Sequence, residues 1–314
     1  MTDNELAKKD KRYKEGFFKK IVNYGGTFLL LLISRLPFRI IYVISDGLYF
    51  LISKIIRYRK KVIFENLMHA FPEKPEEQIK DIADKFYRHL ADLMLEAVKM
   101  HRMSPKEMDK RIKFKDMEQF HRLYEQKKSI IVLGMHHNNW EWGSAVQRHA
   151  QHKLLMLYNP VRGNRALEKF IIDSREKWGG LCVPVHKSAR TVLEFNRAGK
   201  PTAIWLGADQ TPPSTSKFWT IFLNREAPFF TGPEKIASRT KQPIYFHRTK
   251  KTGRGKYEVT LEPLIAEPGE IEPDEILLKY VRKMEEIIRE EPEYYLWSHR
   301  RWKHTRPEGI PLTM

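Results

Sequence analysis

Hydrophobic positions change texture twice along the chain. Residues 1–15 are charged, with Lys8, Lys9, Asp10, Lys11 and Arg12 in succession. Two apolar stretches follow, over residues 16–34 and 36–56, and predict an N-terminal helical segment. Lys19, Lys20, Arg35, Arg39 and Asp46 interrupt them, so neither is a clean run of about 20 apolar residues, the length of a simple bilayer span. Beyond Pro72 and Pro75, Ile79, Ile82, Ala83, Phe86, Leu90, Leu93 and Ala97 recur at the three- and four-residue spacing of a core-facing helix. From Ser129 the texture shortens. Apolar runs stand at residues 130–133, 154–157, 181–185, 202–206, 244–246 and 257–261, with helical stretches at 165–178 and 188–197 between some of them. This alternation predicts an α/β domain, a mixed, mostly parallel sheet flanked by helices. A last helix, over 274–290, gathers Leu277, Tyr280, Val281, Met284, Ile287 and Ile288 on one face. The organisation reads as a tail and anchor over 1–60 and a larger domain over 61–314.

Charge narrows the choice of partner. Among 314 residues, 57 are Lys or Arg and 39 Asp or Glu, a net charge of +18. Such an excess points to an anionic partner: nucleic acid, membrane surface, or acidic protein or ligand. The basic residues are dispersed and form no recognisable nucleic-acid module, so no nucleic-acid partner is expected. Lys54, Arg57, Arg59, Lys60 and Lys61 close the second apolar stretch, as in segments that sit on anionic cytoplasmic headgroups. The stretch therefore reads as an anchor that spans or lies flat, with buried core helices as the alternative. No small-residue cleavage site follows it, which argues against a removed signal peptide. The single cysteine, Cys182, excludes an internal disulfide framework and reads as core beside Val183.

The chemistry gathers at residues 130–143. An apolar strand ends at Gly134 and delivers His136, with Glu141 five positions later. A carboxylate that fixes an imidazole tautomer makes the imidazole a general base for a hydroxyl. His137 competes, because His137 and Glu141 are i,i+4 neighbours on a continuous helix. Asp209 also follows an apolar strand. Its roles stay open between holding Arg175, orienting substrate and capping a turn. The basic run His299, Arg300, Arg301 and Lys303, with Trp297 and Trp302, reads either as a peripheral face or as a headgroup contact. No His-Glu-x-x-His helix or cysteine cluster is present, so no metal is expected.

Several ordered motifs together resemble the late acyltransferases of lipid A biosynthesis, with the H-x4-D/E motif of their superfamily. They are His136 with Glu141; residues 59–73, including Asn66, Leu67, Ala70, Phe71 and Pro72; Tyr158 with Pro160; Arg175 with Gly179; Asp209 with Gln210; residues 229–233; and residues 297–302. Between them they cover about residues 16–306. The Phe-Pro-Glu-Gly-Thr element of glycerol-phosphate acyltransferases is missing, which disfavours that branch.

The resemblance implies an O-acyltransferase on the cytoplasmic face of the bacterial inner membrane. It would move a fatty acyl chain from an acidic acyl carrier protein to a hydroxyl of a phosphorylated lipid A precursor. No cofactor is implied, and the anionic membrane surface is a further partner. Acylation of another glycerolipid or aminolipid is the runner-up. The family register selects His136 over His137 as base, with Glu141 orienting it. It marks Arg175, Asp209, Gln210, Asn139 and Tyr158 as contacts to substrate or to the reacting oxyanion.

Overall fold

The computed structural model describes residues 15–314, so the charged tail, apart from Glu15, lies outside the described residues. The first apolar stretch is helix α1 (Phe17–Arg35), whose only buried residue is Ser34. Phe17, Phe18, Val22, Phe28 and Leu29 are exposed on it. By length and composition it suffices to cross a membrane. The second stretch, α2 (Phe38–Phe50), runs on through a π-helical turn at Leu51–Ile55. It has two faces. Phe38, Ile41, Ser45 and Tyr49 are buried, whereas Ile40, Val43 and Ile44 are exposed.

Asp46, the charge that interrupts this stretch, has a structural partner. Arg254 donates to Asp46 at 2.6 Å and to Asp92 at 2.7 Å. Asp92 lies on α4 (Glu76–Met100), the long helix of the predicted stripe, which follows α3 (Lys60–Ala70). Pro75 precedes α4, with Glu76 and Glu77 favourably placed in its first turn near the positive end of the dipole.

The remainder winds α5 (Pro105–Arg111), β1 (Ile112–Phe114), α6 (Met117–Glu125), β2 (Ile130–Gly134), a 3-10 helix (Glu141–Arg148), β3 (Lys153–Tyr158) and α7 (Arg165–Glu176). Then come β4 (Leu181–Pro184), α8 (Ser188–Arg197), β5 (Thr202–Gly207), β6 (Trp219–Phe222), β7 (Arg225–Pro228), α9 (Gly232–Thr240), β8 (Ile244–Gly253), β9 (Lys256–Ile265) and α10 (Pro273–Glu290). Seven strands form one sheet in the order β1-β9-β8-β2-β5-β3-β4. Every pairing in it is parallel except β8 with β9. This is the mixed, mostly parallel sheet expected.

Both faces of the central strands are covered, which is why they read as unbroken apolar runs rather than alternating ones. Ile131, Leu133, Ile204, Leu206 and Phe246 belong to the core that includes Tyr280, Met284 and Ile288 of α10. Val132, Leu154, Met156 and Ala203 join a second cluster with Phe120 of α6 and Val146 of the 3-10 helix. The small β6–β7 hairpin has no counterpart in the sequence reading. Its turn places Leu223 and Asn224 at φ 48° and 66°, a conformation usually signalled by glycine, which is absent here. Leu223 is fully buried, and burial of its side chain offsets the strain.

Candidate active site

Strands β2 and β5 are neighbours, with Gly134 opposite Gly207. Two residues beyond each glycine stand His136 and Asp209, at the carboxyl edge where α/β sheets bind ligands. The Asp209 carboxylate accepts from His136 Nδ1 at 2.7 Å and from the His136 backbone N–H at 3.0 Å. Nδ1 therefore carries the proton, and Nε2 presents its lone pair. Gln210 Nε2 lies 3.3 Å from that nitrogen, and Trp140 meets the imidazole edge-on with centroids 4.8 Å apart.

Glu141 is the correction to the expected dyad. Its carboxylate accepts from Arg175 Nε at 2.8 Å and Nη2 at 2.5 Å, and from Trp140 Nε1 at 3.2 Å. The group bonded to the imidazole is Asp209 instead. A strand-end position and main-chain reach give Asp209 the contact, while a bidentate guanidinium occupies Glu141.

The electrostatics follow from burial and pairing. Burial disfavours the His136 imidazolium, but Asp209 and the nearby Glu141 outweigh it, and its pKa stands above the ordinary histidine value. Burial favours protonated Asp209, yet His136 keeps its carboxyl below the usual range. Glu141 behaves likewise, held down against burial by Arg175. His137 is different. Buried at 3% exposure, it has Nε2 3.1 Å from the Glu291 carbonyl, and burial pushes its pKa down to about 4.

Of the residues marked by the sequence, His136, Glu141, Arg175, Gln210 and Tyr158 line one cavity of about 510 Å³. Asp209 stands behind His136, 1% exposed. Asn139 is the second correction, because it faces away from the cavity. Fully buried, it donates to Glu96 Oε2 at 2.7 Å and accepts from the Trp142 N–H at 3.1 Å. Glu96, also fully buried, accepts from Tyr42 at 2.9 Å and Tyr257 at 2.8 Å. One carboxylate thus ties α2, α4, β9 and the loop between His136 and Glu141 together.

Much of the rest of the cavity wall is apolar. Val132, Leu154, Met156, Ala203 and Leu261 come from the sheet, Phe120 from α6 and Ile172 from α7. An apolar pocket with a few polar groups converging at one end is the usual form of a small-molecule site. Here the apolar walls suit a hydrocarbon chain, with His136 among the polar groups of the lining. Helix α1 reaches the same region: Asn23 donates to the Gly163 carbonyl at 3.0 Å, in the loop after β3 whose Asn159 and Val161 line the cavity.

A sequence profile described as bacterial lipid A biosynthesis acyltransferase matches residues 11–304. The chain belongs to that family. It is similar to a lipid A biosynthesis lauroyltransferase of Escherichia coli (strain K12), with 26% identity over 297 residues, 91% of this chain and 92% of the relative. It is 24% identical to a lipid A biosynthesis acyltransferase of Haemophilus influenzae over 292 residues, covering 91% of this chain and 89% of that protein. A lipid A biosynthesis palmitoleoyltransferase of Escherichia coli (strain K12) is 23% identical, with 92% of each chain covered.

Other features of this lipid A acyltransferase-family chain escaped the sequence. Arg301 is 1% exposed, donates to the Pro228 carbonyl at 2.7 Å and stacks 4.2 Å from the Phe229 ring centroid. Trp297 is fully buried. The terminal basic run is therefore part interior, with Arg300 and Lys303 exposed. Cys182 is buried, as expected, and burial pushes its thiol up to about 12. Among the described residues no group of three histidine, cysteine or carboxylate side chains converges to hold a metal.

Proposed function

We propose that this protein transfers a fatty acyl chain from an acyl carrier protein thioester to a hydroxyl of a phosphorylated lipid A precursor. The observation that carries the reading is His136, with Nδ1 engaged by Asp209 and Nε2 turned to an apolar cavity. His136 Nε2 takes the hydroxyl proton as the oxygen attacks the thioester carbonyl. The C–O bond forms, a tetrahedral oxyanion collapses, and the C–S bond breaks. The proton on His136 then passes to the departing thiolate.

Asp209 holds the tautomer and stabilises the imidazolium. Glu141 acts through Arg175, fixing a guanidinium beside the reacting carbon, and adds negative field at His136. Gln210 and Tyr158 stand at the cavity wall as substrate contacts. No covalent acyl-enzyme is needed, and the inert Cys182 thiol offers none.

In this reading residues 1–60 are the tail and membrane anchor and 61–314 the acyltransferase domain, on the cytoplasmic face of the inner membrane. The exposed apolar residues of α1 and the cluster from Lys54 to Lys61 support it. The net charge of +18 suits an acidic carrier, a phosphorylated acceptor and an anionic leaflet. The test is purified protein with acyl carrier protein thioester, acyl-CoA as competing donor, and a lipid A precursor. Transfer that prefers the carrier and weakens with salt supports the reading, because steering of an acidic protein is screened. Absence of transfer from either donor to the precursor overturns it.

A further inference from the structure

Close to His136 one aromatic ring lies where two glycines make room. Trp205 projects from β5 over β2. A Cβ on Gly134 would stand 2.8 Å from the indole Nε1 and 2.9 Å from Cε2 and Cζ2. A Cβ on Gly207 would stand 2.9 Å from the indole Cη2 and 3.3 Å from His136 Cε1. The indole thus occupies the space over both glycines, and the space over Gly207 is bordered by His136 as well.

Its far end is pinned. Trp205 Nε1 donates to His247 Nδ1 at 3.0 Å, and His247 Nε2 lies 3.3 Å from the Thr249 hydroxyl. Burial pushes the His247 pKa down to about 4, so the ring is neutral and Nδ1 stays an acceptor near neutral pH. A third glycine, Gly143 on the 3-10 helix, makes room for this histidine, since a Cβ there would come within 2.7 Å of His247 Cε1. Trp205, Gly143, Gly207 and His247 all line the cavity. None of them is needed by the proton transfer described above.

We propose that Trp205, held flat by His247, is the floor of the acyl cavity and sets the length of acyl chain the enzyme accepts. The inference rests on the acyl-transfer reading. A chain whose carbonyl lies at His136 Nε2 runs directly over the indole, so the height of the ring fixes the space left for methylenes. Lowering the floor admits longer chains. Raising it excludes them.

The two directions have separate variants. Trp205→Leu removes the ring, and Trp205→Phe is the milder form should the first fail to fold. Gly134→Ala pushes the ring into the cavity. Purified variants are given a series of saturated acyl thioesters of even chain length, each with the same lipid A precursor. In parallel, thermal melting is followed with free saturated fatty acids of the same lengths.

Trp205→Leu and Trp205→Phe are expected to move the kcat/KM optimum to longer chains, and Gly134→Ala to shorter ones. Because one methylene in an apolar pocket changes kcat/KM by about tenfold or more, the ratio between adjacent members of the series should change by at least about tenfold. The fatty acid giving the largest rise in Tm should move with it. A purely structural role would lower all chain lengths together and leave the optimum in place, which overturns the proposal. Transfer with an unmoved optimum removes the floor and keeps the acyltransferase. A melting optimum that moves without transfer by the native protein keeps the floor and removes the acyltransferase. Neither transfer nor stabilisation by any fatty acid removes both.

Discussion

Asp209 grips His136 twice, one carboxylate oxygen on the imidazole Nδ1 and the other on the backbone N–H of the same residue. The ring is thereby fixed in both tautomer and direction. A base must be neutral to accept a proton, and Asp209 raises the pKa of His136 against the effect of burial. The acid limb of the rate should therefore lie above about 6.5, the ordinary histidine value. Asp209→Asn removes the raising charge, so the limb moves to lower pH while the plateau rate falls, by roughly 10²–10⁴-fold. A kcat/KM–pH profile of both proteins checks this. An unmoved limb in the variant would refute the assignment.

His136 and His137 should separate by kind of defect. On the proposed mechanism His136→Ala removes the base, and turnover should fall roughly 10²–10⁴-fold with melting little changed. His137 is buried against residues 291–294, so His137→Ala should lower Tm and leave the surviving folded enzyme active. Activity per folded molecule, set beside thermal melts, distinguishes them. Collapse of turnover in a fully folded His137→Ala protein would reverse the roles.

Glu141 and Arg175 form a largely buried bidentate pair, and breaking such a pair by removing one partner costs about 3–5 kcal/mol. Glu141→Gln should lose both stability and activity. Adding Arg175→Met should restore much of the stability, because no stranded cation remains, but none of the turnover. Denaturant melts of the single and double variants give the coupling directly. Recovery of activity in the double variant would show that the guanidinium takes no part.

Part of this site is legible in the sequence and part is not. Apolar runs bounded by Gly134 and Gly207 placed His136 and Asp209 at strand ends, because strand periodicity is a local property. Which carboxylate meets His136 depends on β5 lying beside β2, a relation between segments 73 residues apart. Nothing near Glu141 announces that its partner is on α7. The direction of Asn139 is hidden for a similar reason, since a side chain in an irregular loop follows its partner, here the buried Glu96 behind it. Arg301 looks like surface by its charge and becomes interior because aromatic rings on β6 and after β7 surround its guanidinium.

Glu96 supplies a stability test. Burial raises its pKa to about 7, although Tyr257, Tyr42 and Asn139 favour the carboxylate. The folded chain therefore binds this proton more tightly than the unfolded chain. The stability it contributes is complete below about 4.5 and declines as pH rises towards 7. Glu96→Gln should flatten that part of the Tm–pH curve relative to the native protein. Parallel curves for the two proteins would exclude the effect.

The anchor is best tested by cutting between α1 and α2. Removal of residues 1–35 takes away the exposed apolar helix and should release the protein from vesicles in flotation, with the fold retained. Removal of residues 1–56 also strips Phe38, Ile41, Ser45 and Tyr49 from the core and should unfold it. Undiminished flotation of the shorter truncation would place the membrane contact elsewhere.

The fit of Trp205 over Gly134 and Gly207 also bears on how the chain aligns itself. Because β2 and β5 are apolar on both faces, hydrophobic patterning alone is a weak guide to their register. A slip of one residue would turn Asp209 to the opposite face and shift it about 3.3 Å along the strand. A slip of two would keep the facing but bring Val132 or His136 to the position of Gly134, into space that the indole fills. The ring and its glycines thus act as a key that only one strand alignment turns, and that alignment is the one that joins His136 to Asp209.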